Sequence, residues 1–429
     1  MQFENIKKVD NLTYTFTLQP SHVTYANTLR RLILTGVETV AFRADMTSTG
    51  TTTDVVVKRN DTPMTNEMFA HRIGLLPINI KEPLKWNPDK YIFKLNVSSD
   101  KDSIRYVKSS DFEVREVVTT EDEPVLISTD QFFPPNPITG DTCLIASLQS
   151  GSGPTQQIVE VLAKASIGTG RENARFMPVS QCSYEYTRDE DPERRDELFN
   201  KWLIHTKKIT ETLDKASEKY QALLREFNTM EVARCFLMDD KGEPYSYDFT
   251  IETIGILSVE YIVQRACEVG ENMCNRYVNM DKGDLPDEVT ISSAATRIIG
   301  YDFLVRGHDH TLGNLLQTYL VENHIQGTAE PKVTYAGYSV PHPLRDEMLL
   351  RIGVADGEEM TARMAFAAAA RGCSELFRNM RGAWMRSVGV APAVGTEPTV
   401  TPSSALATPG ARTIRRPRVA APVTITKTN

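Results

Sequence analysis

The sequence predicts an α+β protein built from two related units packed against each other, the first of them split by an inserted β-rich domain. Three observations lead there. A strand followed by a helix occurs twice, and Thr24-Tyr25-Ala26-Asn27-Thr28-Leu29 is echoed by Thr311-Leu312-Gly313-Asn314-Leu315-Leu316. A long amphipathic helix closes each half, near 258–280 and near 358–384. Between the first start and its closing helix, turn signals (Asn87-Pro88, Pro134-Pro135, Asn136-Pro137) punctuate short apolar runs over residues 85–165, the mark of a β-rich region.

In chain order, Leu12, Tyr14, Phe16 and Leu18 alternate with threonines, which gives a strand with one apolar face. Pro20 and Ser21 break it and offer an N-cap to a helix over 22–37. Ala26, Leu29, Ile33 and Val37 form its stripe, and Leu32 and Leu34 widen it, so this helix needs neighbours on more than one side. A strand at 55–58 and a short helix after Thr65, with Phe69, Ile73 and Leu76 inward, come next. Residues 188–232 are highly charged, lack glycine and suggest one or two amphipathic helices on a solvated excursion. Phe249, Ile251 and Thr253 suggest a strand. The closing helix carries Val259, Ile262, Val263, Ala266, Met273 and Tyr277 along its seam.

The polar stretch 282–297 reads as a linker, long enough to join adjacent units. Beyond it, Tyr301, Phe303 and Val305 alternate in a strand, a helix runs over about 311–322, and strands follow near 333–338 and 348–354. The last helix has Met360, Met364, Ala367, Phe377, Met380 and Trp384 on its seam. The domains expected are thus 1–48 with 233–281, the insertion 49–187, the excursion 188–232, the linker, the second unit 298–385 and a disordered tail 386–429. Pairing the two units buries both sets of helices, as a pseudo-symmetric dimer within one polypeptide.

Composition narrows the function. The 429 residues carry a formal net charge of −8, which argues against a surface built mainly to hold phosphates. The tail is the exception, with Arg412, Arg415, Arg416, Arg418 and Lys427, a pattern open to nucleic acid or to simple solubilisation. Cysteines 143, 182, 235, 267, 274 and 373 form no short-range pair, so no structural zinc and no other cofactor is expected, and scattered thiols suit a reducing compartment. Cys267 and Cys274 read as core thiols. The N-terminus shows no secretory h-region, and the apolar stretch 365–370 is far too short to span a bilayer. A soluble, intracellular protein is the expectation. There is no P-loop, GxSxG, HExxH or dense aspartate cluster, so no catalytic activity is expected. The run Glu121-Asp122-Glu123 reads as a loop. His308 and His310 flank Asp309, a pattern compatible with a metal, but they belong to a helix start. There Thr311 can cap, Gly313 permits close approach and Asn314 satisfies buried polar groups.

At these residues the sequence resembles the α-like assembly subunits of multisubunit DNA-dependent RNA polymerases. NTLRRLILTGVETVAF (27–42), NEMFAHRIGLLPI (66–78), AKASIGTGRENARFMPVSQCSYEY (163–186) and FTIETIGILSVEYIVQRA (249–266) resemble, in order, segments of the third subunit. HDHTLGNLLQTYL (308–320) and TYAGYSVPHPLRDEMLLRI (334–352) resemble the small eleventh subunit, its usual partner. A fusion of the two in one chain is similar to what large DNA viruses of eukaryotes encode. The resemblance implies a non-catalytic platform subunit of a DNA-directed RNA polymerase. Its partners would be the two large catalytic subunits and small assembly subunits, in host cytoplasm, virion or nucleus, with no homodimer needed. The family's third subunit commonly binds zinc through a cysteine cluster in the inserted domain. Only Cys143 and Cys182 stand in that region here.

The residues expected at the subunit interface are Asn27, Leu29, Leu32 and Ile33 of the first helix and Val259, Ile262, Val263 and Ala266 of its closing helix. The second unit adds His310, Thr311, Leu312, Asn314, Leu315, Leu316, Phe377 and Met380. Arg30 and Arg31 resemble family positions that meet the large subunits, where a planar guanidinium can pair across an interface. His71 and Arg72 either dock similarly or cap their short helix. The alternative function is a free nucleic-acid-binding regulator acting through the basic tail.

Overall fold

The computed structural model describes residues 1–45, 54–117, 125–210, 214–294 and 297–389, so the acidic run at 121–123 and the tail beyond 389 lie outside the described residues. The chain opens with β1 (Gln2–Lys8) and β2 (Thr13–Gln19), then α1 (Val23–Thr35) and β3 (Glu38–Ala41). The insertion holds β4 (Val55–Asn60), α2 (Asn66–Gly74), β5 (Tyr91–Ser98), β6 (Arg105–Lys108), β7 (Phe112–Glu116), β8 (Val125–Ile127), β9 (Leu144–Leu148) and β10 (Ile158–Ala163). The chain then returns through β11 (Ser166–Thr169) and β12 (Val179–Tyr186) to α3 (Pro192–His205) and α4 (Glu218–Glu226), and reaches β13 (Tyr247–Thr253) and α5 (Val259–Asn275). The second unit comprises β14 (Val289–Ser293), β15 (Gly300–Arg306), α6 (His310–Leu320), β16 (Tyr335–Ser339), β17 (Glu347–Gly353) and α7 (Glu359–Ser387).

The repeat is visible in the sheets. The first unit has the antiparallel order β1-β2-β13-β12, and the second has β14-β15-β17-β16. Each sheet therefore places an edge strand, the strand before the echo helix, the strand before the long helix and a second edge in the same sequence. Both units are α+β, and a five-stranded sheet, β4-β10-β5-β7-β8, forms the β-rich insertion. The echo continues into packing. Leu32 and Tyr319 each stand eight residues beyond the threonine of their echo, and each lies over a glycine of its own unit's long helix, Gly270 and Gly372 respectively. A Cβ at Gly270 would also stand 2.8 Å from the Phe377 ring, so glycine there lets α5 and α7 approach closely.

Several expectations need correction. The stretch 282–297 is not simply a linker, because it contains β14, which pairs with β15 from Val289↔Val305 to Ser293↔Tyr301. Its counterpart β1 also escaped the sequence reading. Both are edge strands with one buried apolar residue each, Phe3 and Val289, too few to show alternation. β12, expected within the insertion, completes the first unit's sheet against β13. The cap of α1 is His22, whose Nδ1 accepts from the Thr24 N–H at 3.1 Å; the Ser21 hydroxyl instead donates to the His22 carbonyl. Met360 and Met364 are exposed (49% and 37%), since the first turns of α7 turn Ala362, Ala365 and Phe366 inward and leave these two on the outer face.

Three cores result. The largest is continuous across both units and runs from Phe16 and Leu29 through Ile262 and Leu316 to Phe366 and Trp384. The insertion has its own core around Phe42, Phe69, Phe93 and Phe112. The charged excursion folds as a small helical pair, with Phe199, Trp202, Leu203, Phe227 and Cys235 buried together. Substituting Gly270 by alanine is expected to destabilise the fold by about 1–3 kcal/mol through overpacking. The same change at Gly382, where the nearest atom is the flexible end of Arg386 at 3.4 Å, is expected to stabilise by about 0.5–1 kcal/mol through helix propensity. Denaturant unfolding of the two variants checks the opposite signs.

Candidate assembly interface

The two long helices, α5 and α7, pack along each other and exchange their aromatic ends. Tyr277, just past α5, enters the second unit and lies 5.9 Å from Phe366, which in turn contacts Phe303 of β15 at 5.1 Å. Trp384, near the end of α7, enters the first unit between Phe3 and Phe16, with centroids 5.1 and 5.2 Å away. Its indole N–H donates to the Glu260 carbonyl at 3.0 Å, so no polar group is stranded by the burial. Both rings are fully buried. Around this apolar seam, Arg378 donates to Glu271 at 2.8 Å, and Arg381 pairs with Glu268 and Glu271 at 3.4 and 3.2 Å. Arg363 donates to the Met280 and Gly283 carbonyls, and Arg371 to the Val278 carbonyl and Asp281. Ser374 donates to Asn275 at 2.6 Å.

A second crossing joins α1 to α6. Leu29 and Ile33 of α1, and Leu312, Leu315 and Leu316 of α6, are fully buried; Leu32 is nearly so. The Thr24 and Thr318 hydroxyls stand 3.0 Å apart, and the Asn314 amide donates to Thr24 at 3.3 Å. These groups satisfy one another inside the crossing. The Tyr25 hydroxyl donates to Glu322 at 2.5 Å. Val259, Ile262, Val263 and Ala266 line the inner face of α5, and Phe377 and Met380 the facing side of α7; all six are buried.

The polar candidates separate. Arg31, expected beside Arg30 at an outer docking surface, turns to the second unit instead: it donates to the Thr311 hydroxyl at 2.8 Å and to Asp309 at 3.2 Å. Its position one turn before the end of α1 brings it over the start of α6. Arg30 is held by the Asn27 side-chain oxygen at 3.0–3.1 Å, and both line a shallow surface cleft with Cys182, Tyr184, Tyr186 and Arg188. Arg72 donates to the Ile145 and Leu144 carbonyls and so ties α2 to β9, while His71 is exposed. Thr65 caps α2 by accepting from Met68. The α6 cap is Asp309 rather than Thr311, because its carboxylate accepts from the Thr311 N–H at 2.8 Å. His310 is exposed beside the Tyr338 hydroxyl, and Gly313 lies against the Tyr338 ring.

Sequence reasoning missed most of the ionic clasp. Arg378 and Arg381 on one helix and Glu268 and Glu271 on the other share a three-residue spacing, a complementarity that a single-helix reading takes for solvated faces. Cys267 and Cys274 are fully buried, and desolvation pushes the Cys267 thiol up to about 12. Cys182 is likewise buried, and Cys143 exposed. Among the described residues, no three His, Cys, Asp or Glu side chains gather to hold a metal, and no helix is long and apolar enough to cross a membrane.

His308 sits at the junction, 8% exposed, edge-on to Tyr277 at 5.6 Å. Burial, with Arg171 and Arg276 nearby, holds its imidazole down at about 4 against an ordinary 6.5. The ring is neutral in the fold but free to protonate when unfolded. Its stabilising contribution is therefore complete above pH 6.5 and is lost as the pH falls toward 4, a change on the order of 3 kcal/mol. Stability measured between pH 7 and 4 is expected to fall less steeply in His308→Gln. Phe377→Ala is expected to cost about 3–5 kcal/mol in equilibrium unfolding.

Comparison with known proteins gives two family matches of one description. The RNA polymerase Rpb3/Rpb11 dimerisation domain matches residues 15–274 and again residues 301–383. The chain is 23% identical over 295 residues to DNA-directed RNA polymerase subunit Rpo3 of Methanosphaera stadtmanae, an alignment spanning 64% of this chain and 96% of that protein. It is 28% identical over 282 residues to Rpo3 of Methanopyrus kandleri, spanning 62% and 90%. Against the human DNA-directed RNA polymerases I and III subunit RPAC1 it is 24% identical over 307 residues, spanning 64% and 83%.

Proposed function

The chain belongs to the family of the RNA polymerase Rpb3/Rpb11 dimerisation domain, and from that premise we propose that it is the assembly platform of a DNA-directed RNA polymerase, with both members of the platform pair fused in one polypeptide. The observation that carries this reading is the single core running through both units, sealed by the exchange of Tyr277 and Trp384. A platform of this kind performs no bond chemistry. It presents a rigid composite surface on which the two large catalytic subunits and small assembly subunits come together, and it takes no cofactor and no second copy of itself.

Covalent fusion adds a physical advantage. Tethering the two modules gives a local concentration on the order of millimolar, so the pair stays closed at any cellular dilution. Arg30 is the favoured contact to a large subunit, since its guanidinium is held by Asn27 at the rim of an open cleft. Arg31 and Arg72 are engaged within the chain, by the Thr311 hydroxyl and by the Ile145 carbonyl. The setting is intracellular, and a fusion of this kind fits the transcription apparatus of a large DNA virus of eukaryotes.

Tagged full-length protein is expected to co-purify with two very large chains from cells that contain the whole complex. Leu316→Asp places an unpaired charge in the α1–α6 crossing and is expected to abolish that capture. Removal of residues 390–429 is expected to leave it unchanged. Loss of capture on removal of the tail alone would favour the nucleic-acid-binding regulator.

A further inference from the structure

A cleft of about 460 Å³ lies where α5 meets the start of α6, and its lining combines Asn272 and Arg276 of the first unit with His308 and Asp309 of the second. We propose that this cleft is a socket for a single carboxylate, an Asp or Glu side chain of a neighbouring subunit, received by the Arg276 guanidinium and the His308 imidazole. The identity of the neighbour rests on the platform reading; the socket itself rests on the following chemistry.

His308 is more than nine-tenths buried, lines the cleft and makes no hydrogen bond within the chain among the described residues. Its ring nitrogens are not sealed away from solvent, so a ligand entering the cleft can replace water at them. Arg276, at the end of α5, is exposed and forms no hydrogen bond or ion pair among the described residues. The other cations of the cleft are committed. Arg171 is taken by Asp346 and the Gly307 carbonyl, and Arg265 by Glu38 and Glu268. One uncommitted cation beside one neutral imidazole donor suits a monoanion. Glu38 and Asp309 line the same cleft and would oppose a dianionic phosphate. Neither unit forms the socket alone. A side chain seated there therefore recognises the clasped state and no other.

The test uses the full chain. The His308 ring signals, assigned by their absence in His308→Gln, are followed by NMR while N-acetylglutamate N-methylamide is added. A saturable shift is expected, at least tenfold weaker in Arg276→Gln, with inorganic phosphate binding less tightly than the glutamate probe. No saturable shift, an equal response in Arg276→Gln, or tighter binding of phosphate would overturn the socket. In the co-purification experiment, Arg276→Glu is expected to reduce capture of the large subunits about tenfold while the unfolding midpoint stays unchanged. Undiminished capture by this variant, with the unsubstituted chain capturing normally, would overturn the docking role alone. Failure of the unsubstituted chain to capture would count against the platform reading instead, and the NMR titration would still decide the socket.

Discussion

The reciprocal burial of Tyr277 and Trp384 is the constraint on which the rest depends. Each ring belongs to one unit and completes the core of the other. Separating the units would expose both rings, the inner faces of α5 and α7 and the α1–α6 crossing together. Burial of a large apolar side chain contributes about 1.5–3 kcal/mol, so the exchanged pair alone makes partial opening costly. Gly270 and Gly372 are the necessary counterparts, since they make room for Phe377 and Tyr319 in the packed helices.

The polar groups around the seam set its register. Arg378 and Arg381 meet Glu271 and Glu268, while Arg363 and Arg371 bond the backbone carbonyls beyond the end of α5. These cations past the end of α5 also complement the negative end of its dipole. A helix displaced by one turn would lose all of these partners at once, whereas the apolar seam by itself would tolerate some sliding. The same logic holds at α1–α6, where Thr24, Asn314 and Thr318 form a small closed network and Arg31 reaches Thr311 and Asp309.

The helices were legible in the sequence because their burial is periodic. Ala26, Leu29 and Ile33, and Val259, Ile262, Val263 and Ala266, fall inward as their spacing predicts. The repeat was legible through one short echo, Thr24–Leu29 over Thr311–Leu316. The edge strands β1 and β14 were not, since an edge strand with a single buried side chain leaves no alternation to read. The role of Arg31 was illegible for a different reason. Its partners are close to 280 residues away in the chain, and only the pseudo-dimer brings them together. His308 showed the same limit: it read as part of a helix start, and its junction position emerges only when α5 arrives beside it.

Amide hydrogen exchange on the purified full chain, read over α5 and α7 at several protein concentrations, tests the intramolecular clasp most directly. Both helices should be the slowest-exchanging segments, opening together in one global event whose rate is independent of concentration. Independent opening of α5 and α7, or protection that grows with concentration, would mean that the two halves do not hold each other within one molecule.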